Sequence, residues 1–378
     1  MATSIPVVPE DTQLVYLAEG AANVVYRIFP SYTSRTVTPQ PAFIEEYSDT
    51  TPPPSIIETD DEDDEENTDL DIFDKKLLRL RKDLPTTLTV VIAQGQWEEW
   101  VKPLFKGDQI VHQQLVKIRP GKIIENLNEE LHLREVEHVT IGRNPDLRPV
   151  KRQGVYLAND EHGLLITDMT PGLGDAEVIE FKPKWLTQSP SAPKGAKRCR
   201  QCAITARRNQ EFAKKNLPGE ILKEFCPLDL VSGCPKDIVY AAKILLAPEP
   251  CLPSVDRFVD WIINSDLLVH LRDAQASLDK VGPLTADPND WKYRVAMTLR
   301  DCTVFVRFPE NKDDDKKKIE ARIGDLDVKS TEKAEYWKRT EEELIREGWY
   351  MGTEQVTTAE PRGIVCRLGR TFNTVREI

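Results

Sequence analysis

Apolar residues in the first part of the chain alternate with polar ones in short runs, which is typical of β-strands. Residues 13–29, "QLVYLAEGAANVVYRIF", have apolar and β-branched residues on both sides of the small-residue stretch "EGAAN". This pattern predicts a hairpin. Residues 74–82, "DKKLLRLRK", predict another strand, and alternate side chains of a strand share a face. That face would carry Lys75, Leu77, Arg79 and Arg81.

Two later segments continue the strand pattern. Residues 154–170 predict two short strands. Residues 176–185, "AEVIEFKPKW", predict one more strand, in which alternation would place Glu180, Lys182 and Lys184 on one face.

From about residue 198 the apolar positions recur every three to four residues, which predicts helices. One long helix is predicted at 257–281, and a last one at 330–348 with Ser330 as its N-cap. Between them, residues 302–308 and 319–328 predict a pair of strands. Other helices are predicted at 96–105, 128–138, 199–216, 236–247 and 291–301, and residues 109–118 fit either a strand or a short helix. The fold class is therefore α+β, with a strand-rich first part and a helix-rich second part that carries a late β pair.

A polar insertion interrupts the first part. It is rich in Pro, Ser and Thr and contains seven consecutive acids at 60–66, so residues from about 33 to 70 are predicted to be disordered. The net charge of the chain is −12, and removing those seven charges leaves −5. This balance argues against a general nucleic-acid-binding protein.

The cysteines and the chain start bear on location. Seven cysteines in a chain of 378 residues indicate reduced thiols, and the N-terminus lacks the pattern of a secretory signal. We therefore expect a protein of the nucleus or the cytoplasm. Cys199 and Cys202 form a CxxC motif, but a zinc site needs two further ligands. Cys226 and Cys234 are irregularly spaced and the five histidines are scattered, so the sequence does not predict a zinc site.

Two stretches of the first part could contact phosphate groups. The small residues Gly20, Ala21, Ala22 and Asn23 would let backbone N–H groups approach a phosphate, or they are simply a turn. Arg79 and Arg81 on the next predicted strand could add a positive charge, or they form the polar face of that strand.

Two further stretches concentrate positive charge. In "EFKPK", Pro183 fixes the backbone between Lys182 and Lys184, which could converge on phosphate or end a solvated strand. Residues 194–208 carry six cations and no acid, in contrast to the rest of the chain. This segment suggests a polyanionic ligand, either nucleic acid or a densely phosphorylated small molecule, with a solvated helix start as the alternative.

One carboxylate lies at the start of the first strand of the late β pair, and others lie near the end of the second strand. Asp301 lies in "RDCT", and Asp325 lies in "GDLDVK" on the same predicted face as Asp327. Phosphoryl transfer needs one carboxylate to hold Mg²⁺ and another to orient or deprotonate the attacking hydroxyl. Neighbouring strands could supply both, although acids at strand ends can also serve only as turn residues.

Six motifs in this order resemble those of the inositol-pentakisphosphate 2-kinases. They are "EGAANVVYRI", "KLLRLRK", "EFKPKW", "CPLDLVSG", "RDCT" and "GDLDVK", and the resemblance spans about residues 13–350. The acidic insertion and the short length look like the fungal branch of that family. The resemblance implies a two-lobed kinase-like fold, with an N-lobe at 1–182 and a C-lobe at 183–378 that carries the inositol phosphate site.

The resemblance also implies an activity, its cofactors and its nucleotide site. The family transfers the γ-phosphoryl group of ATP to the 2-hydroxyl of inositol 1,3,4,5,6-pentakisphosphate, giving inositol hexakisphosphate, with Mg²⁺. Asp301 would accept the proton of the hydroxyl, Lys182 would lie near the γ-phosphate, and Asp325 would bind the metal. The other nucleotide-binding residues would be Gly20, Ala21, Ala22, Asn23, Arg79, Thr167, Asp168, Met169 and Glu180.

The remaining implied residues would bind the inositol phosphate. They are Arg152, Lys184, Arg198, Arg200, Arg257, Lys329, Lys333 and Trp337. A monomer that binds neither membrane nor nucleic acid is expected. Two alternatives stay open: a kinase for another inositol polyphosphate, and a non-catalytic protein that binds RNA or another polyanion through residues 194–208.

Overall fold

The computed structural model describes residues 4–29, 71–85, 87–119, 122–136, 148–172, 175–215, 225–246, 255–309, 319–353 and 366–370. These ranges contain helices and two β-sheets with antiparallel strand pairs, which confirms the predicted α+β class. The predicted insertion at about 33–70 lies outside the described residues. None of the described helices is long and apolar enough to cross a membrane.

The chain divides into two compact units, one of residues 1–82 and 115–165 and the other of residues 83–114 and 166–378. The first unit holds a five-stranded sheet with the strand order β1-β2-β3-β5-β4. Its elements are β1 (Gln13–Glu19), β2 (Asn23–Phe29), β3 (Lys76–Arg81), β4 (Gln113–Lys117), β5 (His162–Thr167) and helix α2 (Lys122–Val136). The assignment of these units to the predicted lobes stays a prediction.

The predicted hairpin is confirmed as β1 and β2, which pair antiparallel with Glu19 opposite Val24. The inward-facing residues of β2 and β3, among them Tyr26 and Leu78, are fully buried and pack on Leu131 of α2. Burial of this apolar layer stabilises the sheet and so fixes the turn between β1 and β2.

The second unit contains most of the helices and a three-stranded sheet with the order β6-β7-β8. Its elements are α1 (Val90–Gln96), followed by a π-helical turn at Trp97–Val101, then β6 (Asp175–Phe181), α3 (Arg200–Lys214), α4 (Pro227–Leu230), α5 (Pro235–Leu246), α6 (Val255–Asn264), α7 (Leu267–Leu278), α8 (Trp291–Leu299), β7 (Thr303–Pro309), β8 (Glu320–Gly324) and α9 (Ala334–Arg346). Val304, Val306 and Phe308 alternate along β7 and are fully buried. They form a core with residues of α6 and α7, so the late β pair is anchored against helices.

The structure corrects three details of the predicted elements. The strand predicted through Lys184 ends at Phe181, because Pro183 has no N–H to donate and Lys184 has a left-handed backbone with φ of 60°. The predicted helix 257–281 is two helices, α6 and α7, separated at Ser265 and Asp266. Of the two strands predicted in 154–170 only β5 forms; Leu157 makes an isolated bridge.

Candidate active site

Three lysines converge on Asp301 in the second unit. Lys329 Nζ donates a hydrogen bond to Asp301 Oδ2 at 2.8 Å, and Lys184 Nζ lies 3.5 Å from Oδ1. Lys182 Nζ donates to the backbone oxygen of Asp301 at 2.8 Å and also to Asp325 Oδ2 at 2.8 Å. The two candidate carboxylates are thus linked through one lysine, and we call this group of five residues the lysine–aspartate cluster.

The charges of the lysine–aspartate cluster shift its pKa values. Burial favours the neutral form of Asp301, but Lys329, followed by Lys184 and Lys182, outweighs burial and lowers the pKa of this carboxyl below its ordinary value. Burial acts to lower the pKa of Lys182, yet the pairing with Asp325 raises it overall. The pKa of Glu180, unlike that of Asp301, is raised overall. Burial and the charge of Asp325 raise it by more than Lys182 lowers it.

Asp301 and Lys329 are placed by the end of helix α8. Asp301 follows Arg300, the C-cap residue of the helix, and its N–H donates to the backbone oxygen of Thr298 at 2.9 Å. The Thr298 hydroxyl accepts from the N–H of Lys329 at 3.0 Å. Arg294, one turn earlier, donates to the backbone oxygen of Lys329 at 2.8 Å. Helix α8 therefore holds both ends of the Asp301–Lys329 ion pair.

Lys184 is placed by a buried amide on α7. Gln275 is fully buried, and its Nε2 donates to the backbone oxygen of Lys184 at 3.0 Å. Its Oε1 accepts from the N–H of Leu186 at 2.9 Å, and its Nε2 also donates to the backbone oxygen of Leu299 at 3.0 Å. Gln275 thus holds the backbone on both sides of Trp185 and ties it to α8.

Trp185 is packed between two arginines. The guanidinium carbon of Arg300 lies 3.8 Å from the centroid of the Trp185 ring, and that of Arg200 lies 4.4 Å from it. Arg300 pairs with Asp279 at 2.6 Å and Arg200 pairs with Glu341 at 2.7 Å, and all four side chains are buried. Arg200, predicted to bind substrate, therefore has a buried packing role in this structure; a role in substrate binding stays a prediction.

The other cations predicted to bind substrate differ in their surroundings. Arg198 donates to the backbone oxygen of Trp349 at 3.2 Å. Arg257 donates to the backbone oxygen of Pro309 at 2.9 Å and lies over the ring of Phe308. Lys333 is exposed just before α9. None of these contacts places the three beside the lysine–aspartate cluster, so their roles stay predictions.

The resemblance implies that Trp337 contacts substrate, and in the structure this residue lies in a small core. It is buried and meets Tyr293 edge-on, with ring centroids 5.8 Å apart. Trp185 and Met297 belong to the same cluster of buried residues. Trp337 therefore supports the residue that follows Lys184, and direct contact with substrate stays a prediction.

In the first unit, a buried network holds the turn of Gly20–Asn23. The N–H of Gly20 donates to the backbone oxygen of Asn23 at 2.9 Å, and Lys82 Nζ donates to the backbone oxygen of Gly20 at 2.9 Å. Lys82 also forms an ion pair with Glu19, which accepts two hydrogen bonds from Arg148, both at 3.0 Å. Burial alone would raise the pKa of Glu19, but Arg148 and Lys82 lower it overall.

Sequence reasoning missed Glu19, Lys82 and Arg148. Glu19 opens the stretch "EGAAN" and Lys82 ends "LRLRK", so both adjoin predicted motifs. The burial of their three side chains is not signalled by any local pattern, because charged side chains are seldom buried unless they are paired. Arg148 comes from a segment without a motif.

Other predicted nucleotide-binding residues of the first unit lie on or near its sheet. Arg79 lies on β3 opposite Val25, while Arg81 forms an ion pair with Asp160 at 2.7 Å. The backbone oxygen of Arg152 accepts from Arg148 at 3.0 Å, so the predicted substrate residue Arg152 adjoins the buried network.

The predicted adenine-binding segment, Thr167 to Met169, follows β5. The N–H of Thr167 donates to the backbone oxygen of His112 at 3.0 Å. The backbone oxygen of Asp168 accepts from Arg307 at 2.8 Å, and Met169 is buried. These contacts order the segment; adenine binding stays a prediction.

A group of four thiols is a feature that the sequence did not predict. Cys199, Cys202, Cys226 and Cys366 are all buried, and their sulfur atoms lie within 4.8 Å of one another. Sequence reasoning considered Cys226 and Cys234 as partners of the CxxC motif, whereas the structure brings Cys226 and Cys366 to it. Cys366 lies 140 residues beyond Cys226, so spacing along the chain gave no signal.

The lysine–aspartate cluster has the groups that phosphoryl transfer requires. The side chain of Asp325 is 51% exposed and carboxylate oxygens are ligands that Mg²⁺ prefers, so this residue fits one position of a magnesium site. Asp301 is an ionised acceptor beside cations that can contact phosphate. The arrangement can bind polyanions and accept a proton from a hydroxyl group.

Comparison with known proteins agrees with this chemistry. The family model described as inositol-pentakisphosphate 2-kinase matches residues 16–343. A protein of Yarrowia lipolytica named inositol-pentakisphosphate 2-kinase is 29% identical over 187 residues, which is 47% of this chain and 54% of that relative. One of Candida glabrata with the same name is 26% identical over 256 residues, 65% of this chain and 80% of that relative. The matched stretch thus covers about half the length of the Yarrowia protein.

Proposed function

We propose that this chain, which belongs to the inositol-pentakisphosphate 2-kinase family, transfers the γ-phosphoryl group of ATP to the 2-hydroxyl of inositol 1,3,4,5,6-pentakisphosphate. The product would be inositol hexakisphosphate. The names of both fungal relatives support this substrate and this position on the ring. We further expect a monomer in the nucleus or the cytoplasm.

The observation that carries the proposal is the convergence of Lys182, Lys184 and Lys329 on Asp301. Kinase catalysis consists mainly of positioning and of electrostatic stabilisation of the transferred group. An acceptor that carries five phosphates needs several cations around the reacting hydroxyl, together with one carboxylate that takes its proton.

Asp301 is assigned the role of proton acceptor. As the hydroxyl oxygen forms its bond to the γ-phosphorus, the bond between that phosphorus and the bridging oxygen of ADP breaks, and the hydroxyl proton passes to Asp301. Lys329 and Lys184 lower the pKa of Asp301 and so keep it ionised before substrate binds. Substrate phosphates would compete for the same lysines. As the lysines turn to the phosphates, the pKa of Asp301 rises and the carboxylate becomes a stronger base.

Lys182 is assigned to the γ-phosphoryl group, and Lys184 and Lys329 to phosphates of the acceptor. Asp325 would hold Mg²⁺, which neutralises charge on the transferred phosphate when bound. Since Lys182 pairs with Asp325 at 2.8 Å, the cation and the metal ligand are held in a fixed relation. Glu180, with its raised pKa, would border the nucleotide.

The turn Gly20–Asn23 is assigned to the ATP phosphates, with Arg79 beside it and Thr167 to Met169 at the adenine. The support is that Lys82 and Glu19 fix this turn through buried contacts, so its backbone N–H groups are held in place for an anion. Arg152, Arg198, Arg200, Arg257, Lys333 and Trp337 are assigned to the acceptor, directly or by supporting those that touch it.

The experiment is an incubation of the full chain with ATP, Mg²⁺ and inositol 1,3,4,5,6-pentakisphosphate, followed by separation of the products and NMR of the ring. The expected product is inositol hexakisphosphate, and Asp301→Asn is the matched inactive control. A panel of other inositol polyphosphates tests whether the chain is a kinase for a different inositol phosphate. That alternative would be favoured if one of them were phosphorylated much faster than inositol 1,3,4,5,6-pentakisphosphate.

A second outcome would support a binding protein instead. If the chain turned over no ATP with any inositol phosphate, yet bound RNA with an affinity that falls steeply with salt, the basic segment 194–208 would be its functional surface. Three of the six cations in that segment already contact other parts of the unit, since Arg198 bonds to Trp349, Arg200 to Glu341 and Arg207 to Glu343. Because the charges of Arg200 and Arg207 are offset by glutamates, less positive charge is left for RNA than the sequence alone suggests.

A further inference from the structure

We propose that Arg294, on helix α8, is a further binding residue for the acceptor and contacts a ring phosphate remote from the hydroxyl that is phosphorylated. This role rests on the proposed function and deepens it, because Arg294 lies outside the six motifs. Three features support it: the place of Arg294 beside Lys329, the aromatic ring next to its guanidinium, and the lack of a carboxylate partner among the residues that the structure describes.

Arg294 is joined to the lysine–aspartate cluster through Lys329. Its Nε donates to the backbone oxygen of Lys329 at 2.8 Å. The Thr298 hydroxyl donates to the backbone oxygen of Arg294 at 3.0 Å and accepts from the N–H of Lys329, also at 3.0 Å. Lys329 in turn donates to Asp301 through its Nζ. Arg294 is therefore fixed beside the backbone of a residue whose side chain is assigned to an acceptor phosphate.

The guanidinium of Arg294 lies over the ring of a tryptophan. Its central carbon is 5.7 Å from the centroid of the Trp100 ring, and Trp100 stacks on Trp291 with centroids 5.9 Å apart and ring planes at 25°. Both tryptophans pack against the main core of the second unit. An aromatic face attracts a guanidinium and favours one orientation of it. Trp100 and the backbone of Lys329 together hold the guanidinium in place.

The charge of Arg294 is not balanced by any carboxylate in the described ranges. Burial lowers the pKa of its guanidinium and no neighbouring acid offsets that effect, yet an arginine stays charged at physiological pH. Arg200 and Arg300 in the same unit are each balanced by a buried carboxylate. Since desolvation of an unpaired charge is unfavourable, a half-buried cation of this kind favours an anionic ligand.

The donors of Arg294 fit a phosphate. Its Nε is used by Lys329, and its two Nη atoms make no hydrogen bond to the residues that the structure describes. Two N–H groups of a guanidinium match two oxygens of one phosphate group, a geometry that a lysine cannot offer. The ligand that already brings phosphates to Lys329 is the acceptor, so a phosphate of the acceptor is the natural partner.

The position of Arg294 along α8 separates it from the chemical step. Residues 294 and 301 are seven positions apart, which corresponds to about 10 Å along a helix. Because Asp301 is assigned to the reacting hydroxyl, Arg294 contacts a phosphate that is already on the ring and away from that hydroxyl. Such a contact is equal in the ground state and the transition state. It strengthens binding of acceptors that carry this phosphate and leaves the rate of transfer unchanged.

The first experiment measures binding of inositol 1,3,4,5,6-pentakisphosphate to the full chain by calorimetry without ATP. Arg294→Met should raise the Kd by about tenfold or more, because a charge-assisted bidentate contact is lost. Arg294→Lys keeps the charge without the paired donors and should lie between the two, and it carries the same test if Arg294→Met does not fold. Arg272→Met is the matched control, since Arg272 pairs with Asp273 on α7 and should not affect binding. An unchanged Kd in the folded Arg294 variants would overturn the proposal.

A second experiment distinguishes a contact with phosphate from support of the Lys329 backbone. The wild type and Arg294→Met are compared with inositol tetrakisphosphates that each lack one of the five phosphates. For one of these ligands the two proteins should bind about equally, because the phosphate that Arg294 contacts is missing. If Arg294 only supported Lys329, every ligand would be weakened by the same factor, and that result would overturn the proposal.

Steady-state kinetics separate a failure of this role from a failure of the proposed function. In Arg294→Met the KM for the acceptor should rise by about tenfold, while kcat stays within about twofold and the KM for ATP is unchanged. If the wild type phosphorylated inositol pentakisphosphate and Arg294→Met did so with the same KM, only the role of Arg294 would be wrong. A wild-type chain that phosphorylated no inositol phosphate would overturn the proposed function and this role with it.

Discussion

Lys184 and Asp325 both have a left-handed backbone, with φ of 60° and 57°. Lys75 is the one other non-glycine residue in the described ranges with positive φ. Such a backbone costs about 1–2 kcal/mol for a residue with a Cβ, and it persists where surrounding contacts impose it. Gln275 donates a hydrogen bond to the backbone oxygen of Lys184, and Lys182 holds the side chain of Asp325 in an ion pair. The site therefore holds two residues with a strained backbone: Lys184, which contacts the carboxylate of Asp301, and Asp325, which is the second carboxylate.

The strain at Lys184 gives a stability test. Both Lys184→Gly and Lys184→Ala remove the ammonium group, but only glycine adopts positive φ without a steric cost. We expect Lys184→Gly to be the more stable of the two by about 1 kcal/mol, measured as the midpoint of urea unfolding.

Lys338 provides the control for that comparison. It is exposed in the middle of α9, where glycine costs about 1 kcal/mol relative to alanine, so the order of the two variants should reverse. Equal stability of the two Lys184 variants would mean that the backbone there is not left-handed in solution.

Lys182 and Lys184 should differ in kinetic effect. Lys182 contacts both the Asp301 backbone and Asp325, and charge moves towards it during transfer, so Lys182→Ala should lower kcat more than it raises KM. Lys184 would hold an acceptor phosphate in the ground state and the transition state alike. Lys184→Ala should chiefly raise the KM for the inositol phosphate, by about tenfold or more, with the KM for ATP little changed. Steady-state kinetics with each substrate varied in turn tests this difference. The same modest loss of kcat and the same rise in KM in both variants would contradict it.

Asp325→Asn tests the metal ligand with little change to the backbone, because asparagine and aspartate both adopt positive φ more readily than most residues with a Cβ. Turnover should fall by at least 100-fold at ordinary Mg²⁺ concentration, while the melting temperature changes little. Asp327→Asn is the neighbouring control from the same motif. Normal turnover of Asp325→Asn, or an equal loss in both variants, would remove Asp325 from the metal role.

The sequence predicted the residues of the lysine–aspartate cluster because they lie in recognisable motifs: Lys182 and Lys184 follow β6, Asp301 precedes β7, and Asp325 and Lys329 follow β8. It failed on the geometry of Lys184, since alternation assumes a regular strand and Pro183 ends it. It also failed to distinguish a buried arginine from a partly buried one: Arg200 and Arg198 lie in one basic run, but Arg200 is buried and pairs with Glu341, whereas Arg198 is only partly buried. That distinction depends on how α3 packs on α9, which no local pattern contains.

Residues brought together from distant parts of the chain were missed for the same reason. Gln275 holds the Lys184 backbone from 91 positions away, and Cys366 meets Cys199 from 167 positions away. A glutamine in the middle of an amphipathic helix, or a cysteine near the chain end, has no sequence signal of its own. Its role follows only from the topology that puts it beside its partner.

The buried network of the first unit gives a further test. Glu19→Gln removes the charge that Lys82 and Arg148 share, leaving two buried cations with weaker partners. The loss of one member of a buried ion pair costs about 3–5 kcal/mol, so unfolding free energy should fall by that order. Asp160→Asn breaks the partly exposed pair with Arg81 and should cost less than about 1 kcal/mol. A cost for Glu19→Gln as small as that of the control would contradict the network.

The last prediction concerns Asp301 as a base. Burial acts to raise its pKa, and Lys329, the strongest of the three lysines, does most to lower it. The acidic limb of kcat/KM reports the ionised base of the free enzyme. Lys329→Met removes the largest lowering contribution, so the pKa of Asp301 rises and the limb moves to higher pH. Lys184→Met should move it in the same direction by less, because that ammonium lies at 3.5 Å and not 2.8 Å.

Titration of substrate phosphates also shapes such profiles, but it is common to every variant. Lys333→Met controls for the loss of a phosphate-binding cation: it should lower kcat/KM at all pH values and leave the limb where it is in the wild type. The lowered pKa of Asp301 also makes the folding stability of the protein depend on pH. Ionised Asp301 adds stability above its unfolded pKa, and that stability is lost as pH falls through the lower folded value. A limb that stays in place in Lys329→Met, or that moves equally in Lys333→Met, would show that Asp301 is not the base whose ionisation limits the reaction.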